Sequence, residues 1–382
     1  MKDNTFVNFD CYNWNRMINS FKALKTFKKD EEKDHVYIRI YDTGVKIYRV
    51  NTVDYVTRQC FYFTGCTVNN FDYNIYYCYK LKTSDFMKAV SEDIYQCIMV
   101  LSDNELRFIN GDNNKNITVE KTKEDPETVN SHYKLDRASV YFSVLTEDLK
   151  EVFNRVTWML PVLDNIPAKS VKGVCFQFED NDAAIRITGT NGHILLSDTV
   201  DITTNRYPFG NIQEFIIPQK NIKIMQDLIK NHKVLKFDVS ENHVYISDKG
   251  MFVGFELLQE KYPQYKQLQV KDTDSQITLN SKDVMPALKE TKQKVVSIMP
   301  VSAGKMIDFS DVWSDVLRCN GKEVKAIMSG NLYNFYIVND YLKGLFKQYK
   351  QITFQNNKKT YAHNILVTNR INFIGVLMGC IA

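Results

Sequence analysis

Chemistry in this sequence would have to come from its histidines, cysteines, carboxylates or lysines, and only the lysines are arranged to act together. The histidines His35, His132, His193, His232, His243 and His363 stand far apart, with no HExxH and no His-x-His pair to hold a metal. The cysteines Cys11, Cys60, Cys66, Cys78, Cys97, Cys175, Cys319 and Cys380 include no CxxC pair. Cys97 and Cys175 lie inside apolar runs, the pattern of reduced, buried thiols. Acidic neighbours such as Glu31-Glu32 and Glu179-Asp180 fall beside turns, where carboxylates are solvated. The sequence contains no GxGxxG, P-loop or G-x-S-x-G. No metal and no cofactor is expected, and the chain reads as a non-enzyme.

The basic residues gather on segments of helical periodicity. Across six such windows the net charge is about +10, while the whole chain carries +4, so everything outside them sums to about −6. Lys is a good helix former on any solvated face. Basic helices beside an acidic remainder nevertheless fit a shared surface that faces a polyanion. The candidate DNA-facing cations are Lys22, Lys25, Lys28, Lys88, Arg155, Lys220, Lys223, Lys230, Lys289, Lys292, Lys343 and Lys347. Lys far outnumbers Arg among them, which favours phosphate attraction over bidentate base readout, so that a duplex is held without choosing a sequence.

Six helices must position these cations. The first follows Asp10, with Trp14, Met17, Phe21 and Leu24 on one face; the second follows Thr83, with Phe86, Met87 and Val90. The third follows Thr146, with Leu149, Val152, Phe153, Val156 and Leu160. The fourth is expected to start at Pro218, a good first helical residue. For the fifth, a start at Asp283 rather than Ser281 is favoured, because it leaves Pro286 in the first turn. The sixth follows Asn339, with Leu342, Leu345 and Phe346.

Between helices the pattern alternates with period two around Asp/Asn/Ser/Gly turns, as in His35–Val50 and Val174–Thr188. The stretch Val100–Phe108 resembles Asp238–Ile246; each follows an even-numbered helix and bends at a Ser-acidic-Asn turn. The two lie about 138 positions apart, close to a third of the chain, which indicates a domain-length repeat. The 382 residues, 44% hydrophobic and 25% charged with few Gly and Pro, suit several packed domains. The expectation is an α+β chain of three units, 1–133, 134–270 and 271–382, each with two helices and antiparallel sheets. Met1 to Phe9 offers no apolar signal-peptide core, and no run is long enough to span a bilayer. A soluble cytoplasmic protein without membrane contact is expected.

One constellation adds specificity. Thr190-Asn191-Gly192-His193-Ile194-Leu195, then Ile216-Ile217-Pro218-Gln219-Lys220, then Glu260-Lys261-Tyr262-Pro263-Gln264-Tyr265 resemble, in order and spacing, the T-D-G-H-R-L turn, I-V-P-R-K helix start and G-x-F-P-D-Y closure of the bacterial DNA polymerase III beta sliding clamps. Val338-Asn339-Asp340-Tyr341-Leu342 and Val376–Ala382 resemble that family's F-N-x-x-Y-L and V-x-M-P-x-R-L segments. The likeness is specific from Thr146 to Tyr265, weaker at the C-terminus and only topological in the first third.

The resemblance implies a ring of two chains joined head to tail, with helices lining a hole for duplex DNA and processivity arising from topology. It implies a replicative DNA polymerase as partner and a separate ATP-driven clamp loader. It also implies a pocket for short apolar peptides, at Val152, Thr190, Gly192, His193, Ile194, Leu195, Pro263, Leu268, Val376 and Met378. Ile194, Gly379 and Ile381 replace the family's Arg, Pro and Arg, so a less charged pocket rim is expected. The ring contact is expected where Ile117 and Val119, on an edge strand Asn116–Lys121, meet Val296 and Ile298 near Val295–Met299. The Asn-, Tyr- and Lys-rich composition suits an AT-rich genome, phage or bacterial. The competing readings are a one-sided, non-specific nucleic-acid-binding protein and a β-rich hydrolase with a scattered site.

Overall fold

The computed structural model describes residues 5–9, 11–23, 34–51, 57–63, 67–69, 71–72, 77–90, 97–101, 105–110, 113–123, 140–160, 172–179, 183–206, 212–248, 251–264, 272–292, 294–300, 313–319, 322–331, 333, 335–357, 364–368 and 374–378. Lys25, Lys28, Leu268, Gly379 and Ile381 lie outside them, as does the Ser102-Asp103-Asn104 turn. The described helices are α1 (Cys11–Ala23), α2 (Thr83–Ala89), α3 (Thr146–Thr157), α4 (Ile222–Asn231), α5 (Ser281–Glu290) and α6 (Asn339–Gln348).

Two helix starts differ from expectation. Pro218 ends a strand, where it pairs with Gly173, and a 3-10 turn (Gln219–Asn221) precedes α4. The strand ladder continues into that turn, because the Gln219 N–H donates to the Lys172 carbonyl at 2.8 Å, so the backbone enters α4 four residues late. α5 begins at Ser281 with Pro286 inside it. Ser281 is fixed at both its polar groups: its N–H donates to Lys350 O and its hydroxyl to Phe346 O, each at 2.8 Å. Pro286 is exposed, so the carbonyl that its ring leaves without a donor faces water.

The chain groups into two compact units. The first comprises residues 1–150, 202–212 and 220–257; the second comprises 151–201, 213–219 and 258–382. In the first unit a five-stranded sheet runs in the order Thr67–Asn69, Thr5–Phe9, Cys97–Leu101, Glu105–Asn110, Asn113–Thr118. A ten-stranded sheet runs Glu120–Lys121, Cys78–Lys82, Asp34–Tyr41, Gly44–Asn51, Thr57–Phe63, Met251–Glu256, His243–Asp248, Val234–Val239, Val140–Leu145, Thr203–Arg206. The run expected as one strand, Asn116–Lys121, breaks at Val119 and serves both sheets.

The second unit has a twelve-stranded sheet. Its order is Glu214–Pro218, Gly173–Phe178, Ala184–Thr190, Ile194–Asp201, Ile374–Met378, Asn364–Thr368, Gln351–Asn356, Ser275–Asn280, Lys322–Gly330, Trp313–Cys319, Val295–Pro300, Phe335–Val338.

The same connectivity recurs along the chain. A strand before an odd-numbered helix pairs with the strand after the next even-numbered one: Thr5–Phe9 with Cys97–Leu101, Val140–Leu145 with Val234–Val239, and Ser275–Asn280 with Gln351–Asn356. The hairpin repeat is matched in register, Leu101 opposite Leu106 and Val239 opposite Val244. Apolar faces fill the space behind these strands. On α1, Trp14, Met17, Ile18 and Phe21 are at most 1% exposed, and burial of each contributes about 1.5–3 kcal/mol. Trp14 meets Phe86 of α2 and Phe108, with ring centroids 6.3 and 5.8 Å apart.

Candidate functional site

The turn expected at the partner pocket is built by its own polar side chains. Asn191 Oδ1 accepts from the N–H groups of His193 and Ile194, both at 3.0 Å. Thr190 Oγ1 donates to Ile194 O at 2.9 Å and accepts from Gly192 N at 3.1 Å. Gly192 takes φ 85°, a left-handed conformation that L side chains adopt rarely. The strand leaving the turn, Ile194–Asp201, pairs with Ile374–Met378 and sets Leu195 directly opposite Val376. These two join Cys175, Ile216 and Tyr262 in one buried cluster, with Leu258 packed against it. Burial pushes the Cys175 thiol well up, with Glu214 adding to the shift, so it stays protonated. Tyr262 N donates to Glu214 Oε1 at 3.3 Å, which holds the Tyr262-Pro263 segment beside the cluster.

The sequence-predicted pocket residues therefore divide. Thr190, Leu195 and Val376 are brought together, while Gly192, His193 and Pro263 are exposed. Ile194 is 1% exposed and points to the opposite sheet face from Leu195, so it lies in the core. Val152 is 6% exposed on α3. A Cβ on Gly189 would meet Val156, one helical turn further along, so α3 covers the face that Leu195 turns away from. Met378 is in register with Asn364.

Sequence reasoning missed the contacts between α3, α6 and this strand. Asn191 Nδ2 donates to Tyr341 Oη of α6 at 3.2 Å. The Trp158 ring lies against Gly344, where any Cβ would overlap it. Arg155, expected among the DNA-facing cations, donates to Asp198 Oδ2 at 3.2 Å, bonds Glu151, and stacks over Tyr349 at 4.9 Å. Burial raises the Asp198 carboxyl above its usual range, although the Thr199 N–H, Arg155 and Arg186 pull it back. Burial, and then Asp198, raises the Tyr349 phenol. An Arg spaced one turn from an acid on a helix is a weak sequence signal. Its partner on a strand more than 40 positions away gave none.

In the first unit, Arg16 of α1 donates to His232 Nε2 at 2.8 Å, and His232 Nδ1 lies 2.8 Å from Asp248 Oδ2. The same Arg16 nitrogen also lies 2.5 Å from His232 Nδ1, so the guanidinium sits across the ring edge that carries both nitrogens. Thr146 Oγ1 donates to the His232 carbonyl at the start of α3. Burial lowers the His232 imidazole below its usual range; Arg16 lowers it further and Asp248 opposes both.

Every described helix carries a cation in its last turn: Lys22, Lys88, Arg155, Lys230, Lys289 and Lys347. Each one complements the negative end of its helix dipole. All but Arg155 are exposed, and Lys220, Lys223 and Lys292 are exposed as well, while Lys343 is half-buried. The expected ring-contact side chains are instead core: Ile117, Val119, Val296 and Ile298 are 7, 6, 0 and 0% exposed. Val295–Pro300 pairs through residues 295–298 with Phe335–Val338 and through residues 298–300 with Trp313–Cys319. Among the described residues no group of His, Cys, Asp and Glu is placed to hold a metal, and no helix is long and apolar enough to cross a membrane.

Solved structures decide the fold. The chain superposes on the DNA polymerase III beta subunit of Thermotoga maritima with a TM-score of 0.76, covering 99% of this chain and 100% of that one at 13% identity. The Bacillus subtilis DNA polymerase sliding clamp gives a TM-score of 0.73, with full coverage of both chains at 14% identity. This is the sliding-clamp fold. A Helicobacter pylori beta clamp bound to a DNA ligase peptide shares it, with a TM-score of 0.72 and 12% identity over 98% of this chain and 100% of that one. By sequence, no family model matches. The beta sliding clamp of Halalkalibacterium halodurans is 24% identical over 166 residues, a match that spans 41% of this chain and 42% of that relative. The clamp fold accounts for the repeated strand order and for the placement of the Thr190 turn beside the last strand.

Proposed function

We propose that this chain is a DNA sliding clamp: a non-enzymatic ring of three-domain subunits (1–133, 134–270, 271–382) that encircles duplex DNA and tethers a replicative polymerase. The observation that carries the reading is how the sheets are joined. After α1 the third strand, Thr57–Phe63, pairs through residues 57–61 with Met251–Glu256, the last strand before the next domain boundary. After α3 the third strand, Ile194–Asp201, pairs through residues 194–197 with Ile374–Met378, the last described strand. After α5 the third strand, Lys322–Gly330, uses residues 326–330 on Ser275–Asn280, and among the described pairings its first four residues have a neighbour on one side only. In the first domain Asn113–Thr118, at the end of the five-stranded sheet, likewise has an unpaired edge in the described ladder. Among the edges of the described ladders, these two correspond to the two sides of the internal seams and lie on different domains. A head-to-tail contact between copies joins them, and repetition closes a ring.

By analogy with the two internal seams, Lys322 stands opposite Ile117 and Glu323 opposite Asn116 of a second copy. The contact is thus carried by strand edges rather than by the buried Val296 and Ile298. An open groove of about 500 Å³ lies along that edge, lined by Asp85, Lys88, Ala89, Asn116, Ile117 and Thr118.

The exposed lysines attract phosphate without reading bases, so the duplex is free to slide while the closed ring prevents sideways escape. Opening such a ring requires work from outside the chain, which assigns that role to an ATP-driven loader. The surface above the buried Leu195, Val376 and Tyr262, bordered by the exposed Gly192, His193 and Pro263, is assigned as the place where an apolar peptide segment docks. The setting is the cytoplasm of a bacterium or of a phage-infected cell.

Light scattering on the pure chain tests the ring: a mass near twice the subunit is expected. Asn116→Cys with Glu323→Cys, loaded onto DNA by a clamp loader and only then oxidised, should give a covalently closed ring that stays on circular DNA and slides off linear DNA. A stable monomer, or equal retention on circular and linear DNA, replaces this reading with a one-sided nucleic-acid-binding protein.

A further inference from the structure

In the first unit α1 lies against α4, and a histidine stands in their contact. His232 follows α4 directly, and its N–H donates to Leu228 O at 3.2 Å, which fixes the imidazole at the end of the helix. Arg16, from the middle of α1, reaches across and sets its guanidinium on the ring edge, 2.8 Å from Nε2. Asp248, the last residue of the strand His243–Asp248, lies 2.8 Å from Nδ1. The Thr146 hydroxyl, at the start of α3, donates to the His232 carbonyl. Four elements thus meet at one residue. The His232 side chain is 2% exposed, and that of Asp248 15%. The charges that act on the imidazole are Arg16 from α1 and Asp248 from the strand, while α3 presents a hydroxyl and α4 its own backbone.

Packing two helices of this fold does not call for a titratable group. In the second unit α3 and α6 meet through the Trp158 ring against Gly344. In the first unit the same task falls to a cluster whose balance depends on one proton. With the imidazole neutral, the Arg16 cation is matched by the Asp248 carboxylate, 3.7 Å away. A proton on His232 sets a second cation against Arg16 where little water reaches, with a single carboxylate for both. Parting relieves this, because the imidazole and the guanidinium then return to water. Burial, opposed by Asp248 and aided by Arg16, holds the imidazole below its usual range, in keeping with that balance.

We infer that His232 is a proton-sensitive catch on the contact between α1 and α4, closed while the imidazole is neutral and released when it takes up a proton. The inference does not require a ring, because Arg16, Thr146, His232 and Asp248 all belong to the first unit. The closed form binds the proton more weakly than the open one. Closure is therefore complete above the ordinary histidine value near 6.5 and is lost as pH falls below it. Between pH 7.5 and 5.5, an imidazole that titrates near 6.5 when open favours the open form by up to about tenfold. Release is local: the helix pair parts while the strand ladders hold.

The test is hydrogen exchange of the whole protein, read by mass spectrometry at about pH 7.5 and 5.5 and corrected for the intrinsic effect of pH on amide exchange. Amides of α1 and α4 should open about three- to tenfold more at the lower pH, measured against the strand Cys97–Leu101. In His232→Gln that response should fall below about twofold, with exchange at the higher pH as in the wild type. Arg16→Gln removes the second cation and should shrink the response as well. Asp248→Asn removes the group that favours the charged imidazole, so the response should persist. A wild-type response below about threefold overturns the inference. So does an equal response in His232→Gln, or one shared by the reference strand, which assigns the proton to unfolding at large. Should His232→Gln already be loosened at the higher pH, the other two variants decide, and a response that does not shrink in Arg16→Gln and persist in Asp248→Asn overturns the catch. The mass and circular-DNA experiments above read the ring and are independent of these outcomes.

Discussion

Replacing Arg155 by Met keeps most of its apolar stem over Tyr349 but removes the charge that faces Asp198. The Asp198 side chain is 3% exposed and Arg155 is 19% exposed, so the pair is nearly desolvated and removal of one partner strands the other. Breaking a buried pair costs about 3–5 kcal/mol; the Thr199 N–H and nearby Arg186 remain, which reduces the expected loss to about 2–3 kcal/mol. The loss also has a ceiling, because Asp198 can take up a proton. Its folded-state pKa is already raised, so whatever stability it contributes is present at low pH and declines as pH rises through that value. Without Arg155 the pKa rises further, and the difference between variant and wild type must grow with pH. Thermal melts should show the variant lower by about 5–10 °C at pH 8 and by only about 2 °C at pH 5, taking about 2–4 °C per kcal/mol for a unit of this size. Adding Asp198→Asn should recover much of the loss at pH 8. A deficit independent of pH, or none, would refute the ion-pair account and return Arg155 to the DNA-facing set.

Other perturbations probe neighbouring contacts. Gly344→Val should displace the Trp158 ring, shift its fluorescence and cost about 1–3 kcal/mol by overpacking; an unchanged emission spectrum would contradict the close approach. Asn191→Ala removes the acceptor for two turn N–H groups and should cost about 1–2 kcal/mol and weaken peptide binding, whereas Asn191→Asp should preserve both, as read by melting and by titration with an apolar clamp-binding peptide. The lowered His232 pKa makes the folded state resist protonation, so stability should be complete above the unfolded value near 6.5 and fall as pH drops through the lower folded value. His232→Gln, which still accepts from Arg16 and donates to Asp248, should flatten the melting profile between pH 7 and 5.

Local signals in the sequence were sufficient for the helices and turns. Apolar spacing and capping residues located six helices, and Thr190 to Leu195 marked a turn whose Thr, Asn and Gly each have a local backbone task. They misjudged α4 and α5 where a distant carbonyl competed: Lys172 continues the ladder past Pro218, and Lys350 with Phe346 fixes Ser281. A recurrence of helix, gap and hairpin at about a third of the chain was legible, and the strand pairing around the helices repeats in the structure. The concentration of lysine on helical windows was legible too, although it lies largely at the C-terminal ends, where the helix dipole also favours it.

Only the tertiary structure decided which strand edges meet, which way each side chain of a strand turns, and which cations are already committed. Thr57–Phe63 meets Met251–Glu256 nearly 200 positions later, and no periodicity encodes that choice; it follows from edges that need hydrogen-bond partners and apolar faces that must align. The same pleat places Leu195 toward Val376 and Ile194 away from it, although the two are adjacent in sequence. Arg155 looks like its lysine neighbours until a buried carboxylate from another strand claims it. Charge and pattern are properties of segments, whereas an edge, a cleft or an ion pair exists only once two distant segments have been brought together.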